Sequence, residues 1–548
     1  MINKKNESVN AFYNTVLIKK EFYLPIIFFS ILSYGYSLFS RTVSADDLAR
    51  SYYIEGNKMI ASFRWGHSLS SYLFSSPSYP YQNLELTIAV FMLVFTSIVI
   101  SYIFFYITND CNKTHYAIIC SFFITYPLLN EIIGAAGLSV LFSFDLLLIV
   151  LGLLIIINND SDKSIKKLII AGIIISPAMA GYESVIFVYV TLVFIILYLK
   201  EINGKQYQKG WFFDGLSYVL PLVVALLLRY IVGFSLIKLY GLEYQNVGSA
   251  SIDWFTNSFK ESILQILYNG WYYVIRGFSY FPIGEFVISM IIFLVITIKE
   301  RINGKKNILP IAFFLIMSLF FLSFLQAKFI RYLHNQTIQV FVPFVAYLLL
   351  TEISDKKIFN INIKAVITVL LFYVSFRQSV YLHQLLALNN QRSDNEMAVF
   401  REIGYKIYSE FDKDKTVIFC GEYQLGDYIE DQITVKEGSI AEKVEDWFRE
   451  ITGKEEGRLY QEFVSTNVNS YYNTQKDAFS GQVMIKYYMS YLGYDINVVD
   501  NLTDEEEEYL KHGYEEIAKK ENMKPYEIKD MGDYLLVYLG PTIDGEAE

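Results

Sequence analysis

One stretch of the chain decides the fold: Leu138-Ser-Val-Leu-Phe-Ser-Phe-Asp-Leu-Leu-Leu-Ile-Val-Leu-Gly-Leu-Leu-Ile-Ile-Ile157, in which Asp145 is the single charged residue. A helix of this length extends about 30 Å, which matches the hydrocarbon thickness of a bilayer. A run this long and this apolar predicts a transmembrane helix rather than a helix of a water-soluble domain.

The composition of the whole chain points the same way. Of 548 residues, 53% are hydrophobic and only 19% are charged, whereas soluble proteins are roughly one quarter charged. Three Cys exclude a disulfide scaffold, and five scattered His disfavour a metal centre, so we predict neither a metal nor a cofactor. A net charge of −10 excludes a generally basic nucleic-acid binder.

Ten further apolar segments are long enough to cross a bilayer as helices. The eleven predicted spans lie near residues 22–40, 84–108, 115–133, 138–157, 166–181, 182–199, 216–237, 282–298, 308–326, 335–351 and 364–381. The fifth is short and runs into Ser176-Pro177, so it and the sixth are also compatible with one broken helix pair. The count of about eleven therefore has a margin of one or two.

Charge divides the chain into two parts. Residues 385–548 hold 35 of the 56 acidic residues and 17 of the 46 basic ones, while residues 1–384 are net positive. We therefore predict a polytopic membrane domain over 1–384 and a soluble domain over 385–548. Strand patterns at Lys415–Gly421 and Tyr534–Gly540, with helical stretches between them, predict a small α/β fold for the second part.

The distribution of Lys and Arg sets the orientation in the membrane. With the N-terminus in the cytoplasm, the cytoplasmic segments carry 18 Lys and Arg and the outer loops carry 9. An odd number of spans then places the C-terminal α/β domain outside, whereas an even number would place it in the cytoplasm. Two outer loops are long, at residues 41–83 and 238–281, and their aromatic residues suit helices lying in the membrane interface.

The first long outer loop holds two adjacent carboxylates, Asp46 and Asp47, directly after the first span. Ser44 fits a helix N-cap, and Asp47 then falls at the third helical position, so a purely structural capping box is one interpretation. The other interpretation is that one of the two carboxylates is a catalytic base. Under it, Asp46 is the freer side chain, because capping turns Asp47 towards the backbone.

The segment resembles the first outer loop of the bacterial Gtr-type, O-antigen-modifying glucosyl transferases. Members of that family carry an Asp-Asp pair, an Arg three residues later and a downstream Trp-Gly-Arg. Here the matching residues are Asp46-Asp47, Arg50 and Trp65-Gly66-His67, with His67 in place of the usual Arg.

The resemblance implies a glycosyltransferase of the GT-C class that takes a sugar from a polyprenyl phosphate and uses a loop Asp as general base. The acceptor would be a cell-surface polysaccharide or lipid-linked glycan, and the site would lie at the outer face of a bacterial cytoplasmic membrane. Arg50, Trp65 and His67 would then contact substrate.

The leaving phosphate needs positive charge or hydrogen-bond donors. Arg276, Lys328, Arg331 and His334 are the candidates on the predicted outer side, and the last three share one face of a helix. Arg331 is the first choice, because a guanidinium binds phosphate through two parallel hydrogen bonds. A basic rim that touches lipid headgroups is the structural alternative.

Further polar residues fall at the same predicted rim. Glu131, Tyr182 and Glu183 lie at short outer turns, where they are candidates for binding sugar hydroxyls or remain exposed turn residues. Asp145 and Arg229 fall inside predicted spans, where charges are costly unless they are paired or face a wet cavity. They form either a structural ion pair with each other or part of a functional site.

Two other functions remain open at this stage. A lipid-linked glycan polymerase or ligase also uses outer loops, but it would transfer a whole oligosaccharide. A transporter or flippase predicts polar residues along the middle of the membrane and pseudo-symmetric halves, and the sequence shows neither apart from Asp145 and Arg229.

Overall fold

The structure, a computed structural model, is mostly helical. It describes residues 2–39, 57–74, 82–133, 136–158, 164–182, 184–204, 211–244, 259–260, 262–264, 266–267, 285–326, 336–353, 357–358, 361–421, 443, 482–499 and 513–541.

In the described part of the first 410 residues, nearly all the elements are helices. They are α1 Ile2–Phe12, α2 Lys20–Tyr34, α3 Lys58–Ala61, α4 Trp65–Phe74, α5 Gln82–Thr108, α6 Lys113–Thr125, α7 Asn130–Ile133, α8 Ala136–Ile157, α9 Ile165–Met179, α10 Val185–Ile202, α11 Trp211–Tyr240, α12 Glu285–Ile302, α13 Ile308–Leu319, α14 Phe321–Gln326, α15 Thr337–Glu352 and α16 Ile363–Glu410. A π-helix, Tyr13–Leu17, follows α1, and a 3₁₀ turn, Pro127–Leu129, joins α6 to α7. Two short antiparallel strands, β1 Lys357–Ile358 and β2 Ile361–Asn362, precede α16.

Five of the described helices are long and apolar enough to cross a membrane. They contain the stretches Leu84–Thr108, Leu138–Ile157, Val185–Ile202, Asp214–Tyr240 and Ile363–Ala387. Each of the other six predicted spans also contains a described helix, but these helices are shorter or less apolar. Membrane character is therefore established, and the count of eleven spans stays a prediction.

The apolar helices pack into one large core. α5 packs along α8, and α9 lies between α8 and α11. Large rings fill the interior, and Tyr116, Tyr198 and Tyr347 are among the side chains with almost no exposed surface. The outer surfaces of α11 and of the first half of α16 remain mostly exposed, which suits helices that face lipid.

The C-terminal sheet has three strands in the order β3-β5-β4. β3 (Thr416–Cys420) pairs in parallel with β5 (Tyr534–Tyr538), and β4 (Glu527–Asp530) pairs with β5 in antiparallel fashion. Both predicted strand patterns are therefore strands, and they are neighbours. Helix α17 (Gln482–Tyr491) and a helix over 513–520, α18, complete the described part of this region.

Both faces of the sheet are buried, because side chains alternate along each strand. Val417 and Phe419 pack with Phe400 of α16 and with α17 on one face. Ile418 and Cys420 pack with α18 on the other. This arrangement, with helices on both faces of a small mixed sheet, is an α/β architecture.

An ion pair connects the start of β3 to the end of β4, the two outer strands of the sheet. Lys415 Nζ lies 2.8 Å from both carboxylate oxygens of Asp530. The hydrogen bond from Lys415, followed by that from the backbone N–H of Gly532, holds the pKa of Asp530 below its usual value.

Helix α16 belongs to both parts of the molecule. Its first 25 residues form an apolar stretch of membrane-spanning length, and its last third packs against the sheet. The predicted boundary at residue 384/385 therefore falls inside a continuous helix of 48 residues.

Candidate active site

Most of the predicted site residues lie outside the described part of the chain. These are Asp46, Asp47, Arg50, Glu183, Arg276, Lys328, Arg331 and His334. Glu131 lies in α7, but its side chain is outside the description. Trp65, His67 and Tyr182 are described, so they and their neighbours define the geometry of the site.

Trp65 opens helix α4 and anchors it to α11. Its indole Nε1 donates a hydrogen bond to the backbone carbonyl oxygen of Arg229 at 3.1 Å. An indole N–H is a donor only, so this contact fixes the direction of the ring. The Trp of the motif thus has a structural task, because it joins helix α4 to helix α11.

Gly66 allows α4 to approach the turn after α9 closely. Its backbone N–H donates to the carbonyl oxygen of Ala180 at 3.1 Å. A Cβ at this position would lie 2.7 Å from the backbone nitrogen of Gly181 and would overlap the carbonyl oxygen of Pro177. Only glycine fits between these backbone atoms, so the motif requires Gly here for packing.

His67 follows in the first turn of α4 and is partly buried. Its backbone N–H donates to the carbonyl oxygen of Arg64 at 3.0 Å. Trp65 and Gly66 therefore fix the backbone from which the His67 side chain extends.

Phe63 lies just before this motif and has an unusual backbone conformation. Its φ is +60°, in the left-handed region that bulky residues rarely adopt. The side chain is buried, and its ring lies over Gly233 of α11. The rings of Tyr230, Phe234 and Tyr244 surround it at centroid distances of 5.4, 4.7 and 5.2 Å.

Tyr182 lies in the turn between α9 and α10. Its ring meets the edge of Phe142 on α8, with the ring centroids 6.2 Å apart. This turn is also the one that receives Gly66. The structure therefore brings Tyr182 and the Trp-Gly-His segment to one place.

Asp145 lies beside the same turn. Its side chain has no exposed surface, and neither carboxylate oxygen has a hydrogen-bond partner among the described residues. Gly181 lies in direct contact with the carboxylate. No ion pair joins Asp145 to Arg229, which rules out the structural pair as the explanation for these two charges.

Three buried polar side chains join helices α16, α12 and α6 by hydrogen bonds. Gln378 of α16 donates from Nε2 to Oε2 of Glu285 at the start of α12, and its Oε1 accepts from Thr125 Oγ1 of α6 at 2.7 Å. All three side chains are buried. Sequence reasoning missed this chain of contacts, although a Gln in the last predicted span was a signal that it needed a partner.

Comparison of the sequence with models of protein families identifies the family of this chain. The family model described as glucosyl transferase GtrII matches residues 35–385. The chain belongs to this family. The match covers the predicted first outer loop at residues 41–83, the close contacts of Gly66 and Gly233, and all but the first of the predicted spans.

Membership in the GtrII family confirms the resemblance carried by Asp46-Asp47 and Trp65-Gly66, and it makes the chain a glycosyltransferase. The five long apolar helices give this glycosyltransferase its membrane character. Neither the curated proteins nor the solved structures contained a match to the chain.

The described part of this GtrII-family protein contains no group of three or more His, Cys, Asp or Glu residues placed to hold a metal ion. The Asp46-Asp47 pair lies outside that part.

Proposed function

We propose that this protein transfers a sugar from a polyprenyl phosphate to a cell-surface polysaccharide or lipid-linked glycan. The reaction takes place at the outer face of the bacterial cytoplasmic membrane, with the N-terminus inside and the C-terminal α/β region outside. The observation that carries the proposal is the family match over residues 35–385, because it includes the first outer loop together with the membrane helices.

The proposed chemistry is inverting transfer of the GT-C type. A carboxylate removes the proton from the acceptor hydroxyl while its oxygen bonds to the anomeric carbon. The bond from that carbon to the phosphate breaks, and the phosphate leaves with the electron pair. Asp46 is the proposed base, and Asp47 orients it or the acceptor.

Positive charge near the leaving phosphate lowers the barrier. Arg331 is the main proposed donor, assisted by Lys328, His334 and Arg276. Because His67 replaces the Arg that the family motif usually carries, the phosphate contact depends more on these residues than on the motif itself.

The described geometry supports this use of the first outer loop. Trp65 and Gly66 bind the C-terminal end of the loop to α11 and to the turn after α9. Tyr182 lies in that turn, beside Glu183 in the sequence. We assign both residues, with Arg50 and Glu131, to binding sugar hydroxyls around the base.

The test is transfer by purified protein in liposomes, with labelled polyprenyl-phosphate sugars and candidate glycans. Asp46→Asn and Asp47→Asn should be assayed separately, each with a thermal melt to show that it is folded. Loss of a general base lowers the rate by roughly 10²–10⁴, so the base variant should lose that much and its neighbour less.

Glu243→Gln is a matched control, since Glu243 is an exposed carboxylate of the second long outer loop. It should transfer at the wild-type rate. If both Asp variants are folded and transfer sugar at a near-normal rate, Asp46 and Asp47 only cap a helix and neither is the catalytic base. The mass of the product decides between a single sugar and the whole oligosaccharide that a polymerase or ligase would add.

A further inference from the structure

Helix α3 ends in a motif that normally requires glycine. The Arg64 N–H donates to the carbonyl oxygen of Met59 at 2.8 Å, and the Phe63 N–H donates to that of Ile60 at 3.1 Å. These two bonds form a Schellman motif, whose left-handed residue is usually Gly because a Cβ is unfavourable there. Here the left-handed residue is Phe63, with φ +60°.

The reason for a phenylalanine lies outside the motif. Only 7% of Phe63 is exposed, and its ring rests on the backbone of Gly233, in the second half of α11. A Cβ at Gly233 would overlap the ring at Cδ1 and would lie 3.2 Å from Cγ and Cε1. The ring thus occupies a gap in α11 that exists because residue 233 is glycine.

The two aromatic residues on either side of Arg64 attach the chain to α11 at two points. Phe63 docks on Gly233, and two residues later Trp65 bonds to the carbonyl of Arg229, one turn earlier on the same helix. Unfavourable local backbone geometry is retained where the surrounding contacts determine it, and such positions concentrate at functional sites.

We propose that Phe63 is a positioning residue for transfer. Docked on Gly233, it fixes the direction in which the chain passes from α3 to α4, and so it fixes the Trp65-Gly66-His67 segment relative to Tyr182 and to α11. This role rests on the proposed function of the loop.

Two substitutions disturb the attachment from opposite sides. Phe63→Gly keeps the Schellman motif, and even favours it, but removes the ring. Gly233→Ala keeps the ring but fills its place. Gly215→Ala is the matched control on the same helix, because a Cβ at Gly215 would meet only Leu197 Cδ1 at 3.6 Å, an ordinary contact.

Two measurements on the full chain in detergent or liposomes test the role. Hydrogen exchange of the peptide covering residues 57–74 reports whether the segment is docked. The rate of sugar transfer reports whether docking matters for the reaction. A misplacement of about 1 Å can cost roughly a hundredfold in rate.

Phe63→Gly and Gly233→Ala should each speed exchange in residues 57–74 and lower kcat about tenfold to a hundredfold, with KM for the donor little changed. The double variant should be no worse than the worse single variant, because both remove one contact. Gly215→Ala should match the wild type in both measurements.

The proposal is overturned if both variants keep the exchange and kcat of Gly215→Ala, or if their effects multiply in the double variant. Faster exchange with unchanged kcat in an active enzyme also overturns the positioning role. If the wild type transfers no sugar from any donor while exchange responds as expected, the proposed function fails and the docking contact stands.

Discussion

Gly66→Ala should destabilise the protein through backbone contacts alone. The added Cβ would lie 2.7 Å from Gly181 N and 2.8 Å from Ala180 C, and still closer to Pro177 O, whereas ordinary contact begins at 3.4 Å. All three obstructing atoms are backbone, so no side chain can turn away. Because Pro177 O is the closest of the three, the start of α4 must move by about 1 Å or more.

The energetic cost follows from three contributions. Forcing a methyl group into a packed interior costs about 1–3 kcal/mol. The shift also stretches the bond from Gly66 N–H to Ala180 O, which contributes about 1 kcal/mol. Ala gains about 1 kcal/mol over Gly inside a helix. The net destabilisation is then about 1–3 kcal/mol.

The assay is unfolding in mixed detergent micelles, compared with Gly215→Ala. The control substitution adds a methyl in open packing, so it should be neutral or stabilising by up to about 1 kcal/mol. If Gly66→Ala unfolds at the same denaturant concentration as Gly215→Ala, the close approach of α4 to the turn is not what requires glycine.

Three further predictions concern the phosphate, the buried polar contacts and the topology. Arg331→Ala should weaken use of the lipid donor, and Arg331→Lys should restore it only in part, because the forked geometry is lost; an alanine variant with wild-type donor KM would return Arg331 to the lipid-facing rim. Gln378→Leu should cost about 1–3 kcal/mol in the same unfolding assay, since it removes the Gln378 donor from the buried Glu285 carboxylate, while Thr125 keeps its bond to the Ser121 carbonyl; no change would show that the contact does not contribute. A protease-sensitive tag after Glu548 should be cleaved on intact protoplasts, and its protection would place the C-terminal region inside.

Local signals in the sequence predicted the helices and strands well. The long apolar run of residues 138–157 is helical, and the two β-rich patterns are strands that pair with each other. These predictions were confirmed because they depend only on the hydrophobic periodicity and the length of each apolar segment, which can be read from a short window of sequence.

Contacts between distant segments were beyond such reasoning. The sequence suggested Asp145 and Arg229 as a possible pair because both are charges in apolar runs, but Asp145 instead lies against Gly181. Likewise, nothing near Phe63 indicates that its partner is Gly233, 170 positions later. Such pairs depend on how helices are arranged, which one sequence does not encode in any local pattern.

The loop residues that carry the family resemblance show a middle case. Trp65 and Gly66 could be recognised as a motif, but the resemblance alone suggested contact with substrate. Their described contacts are with the protein's own backbone, at Arg229 and at the turn around Ala180. The motif therefore identified the family, but it did not state which task each of its residues performs.

The length of α16 has a mechanical consequence. At 1.5 Å per residue its 48 residues extend about 72 Å, and the 23 residues beyond Ala387 account for about 35 Å. Because this helix is continuous, no flexible linker separates the membrane-spanning stretch from the part that packs on the sheet. The orientation of the sheet is therefore coupled to that of the membrane-spanning stretch. Each residue inserted beyond Ala387 would raise the sheet by about 1.5 Å and turn it by about 100° about the helix axis.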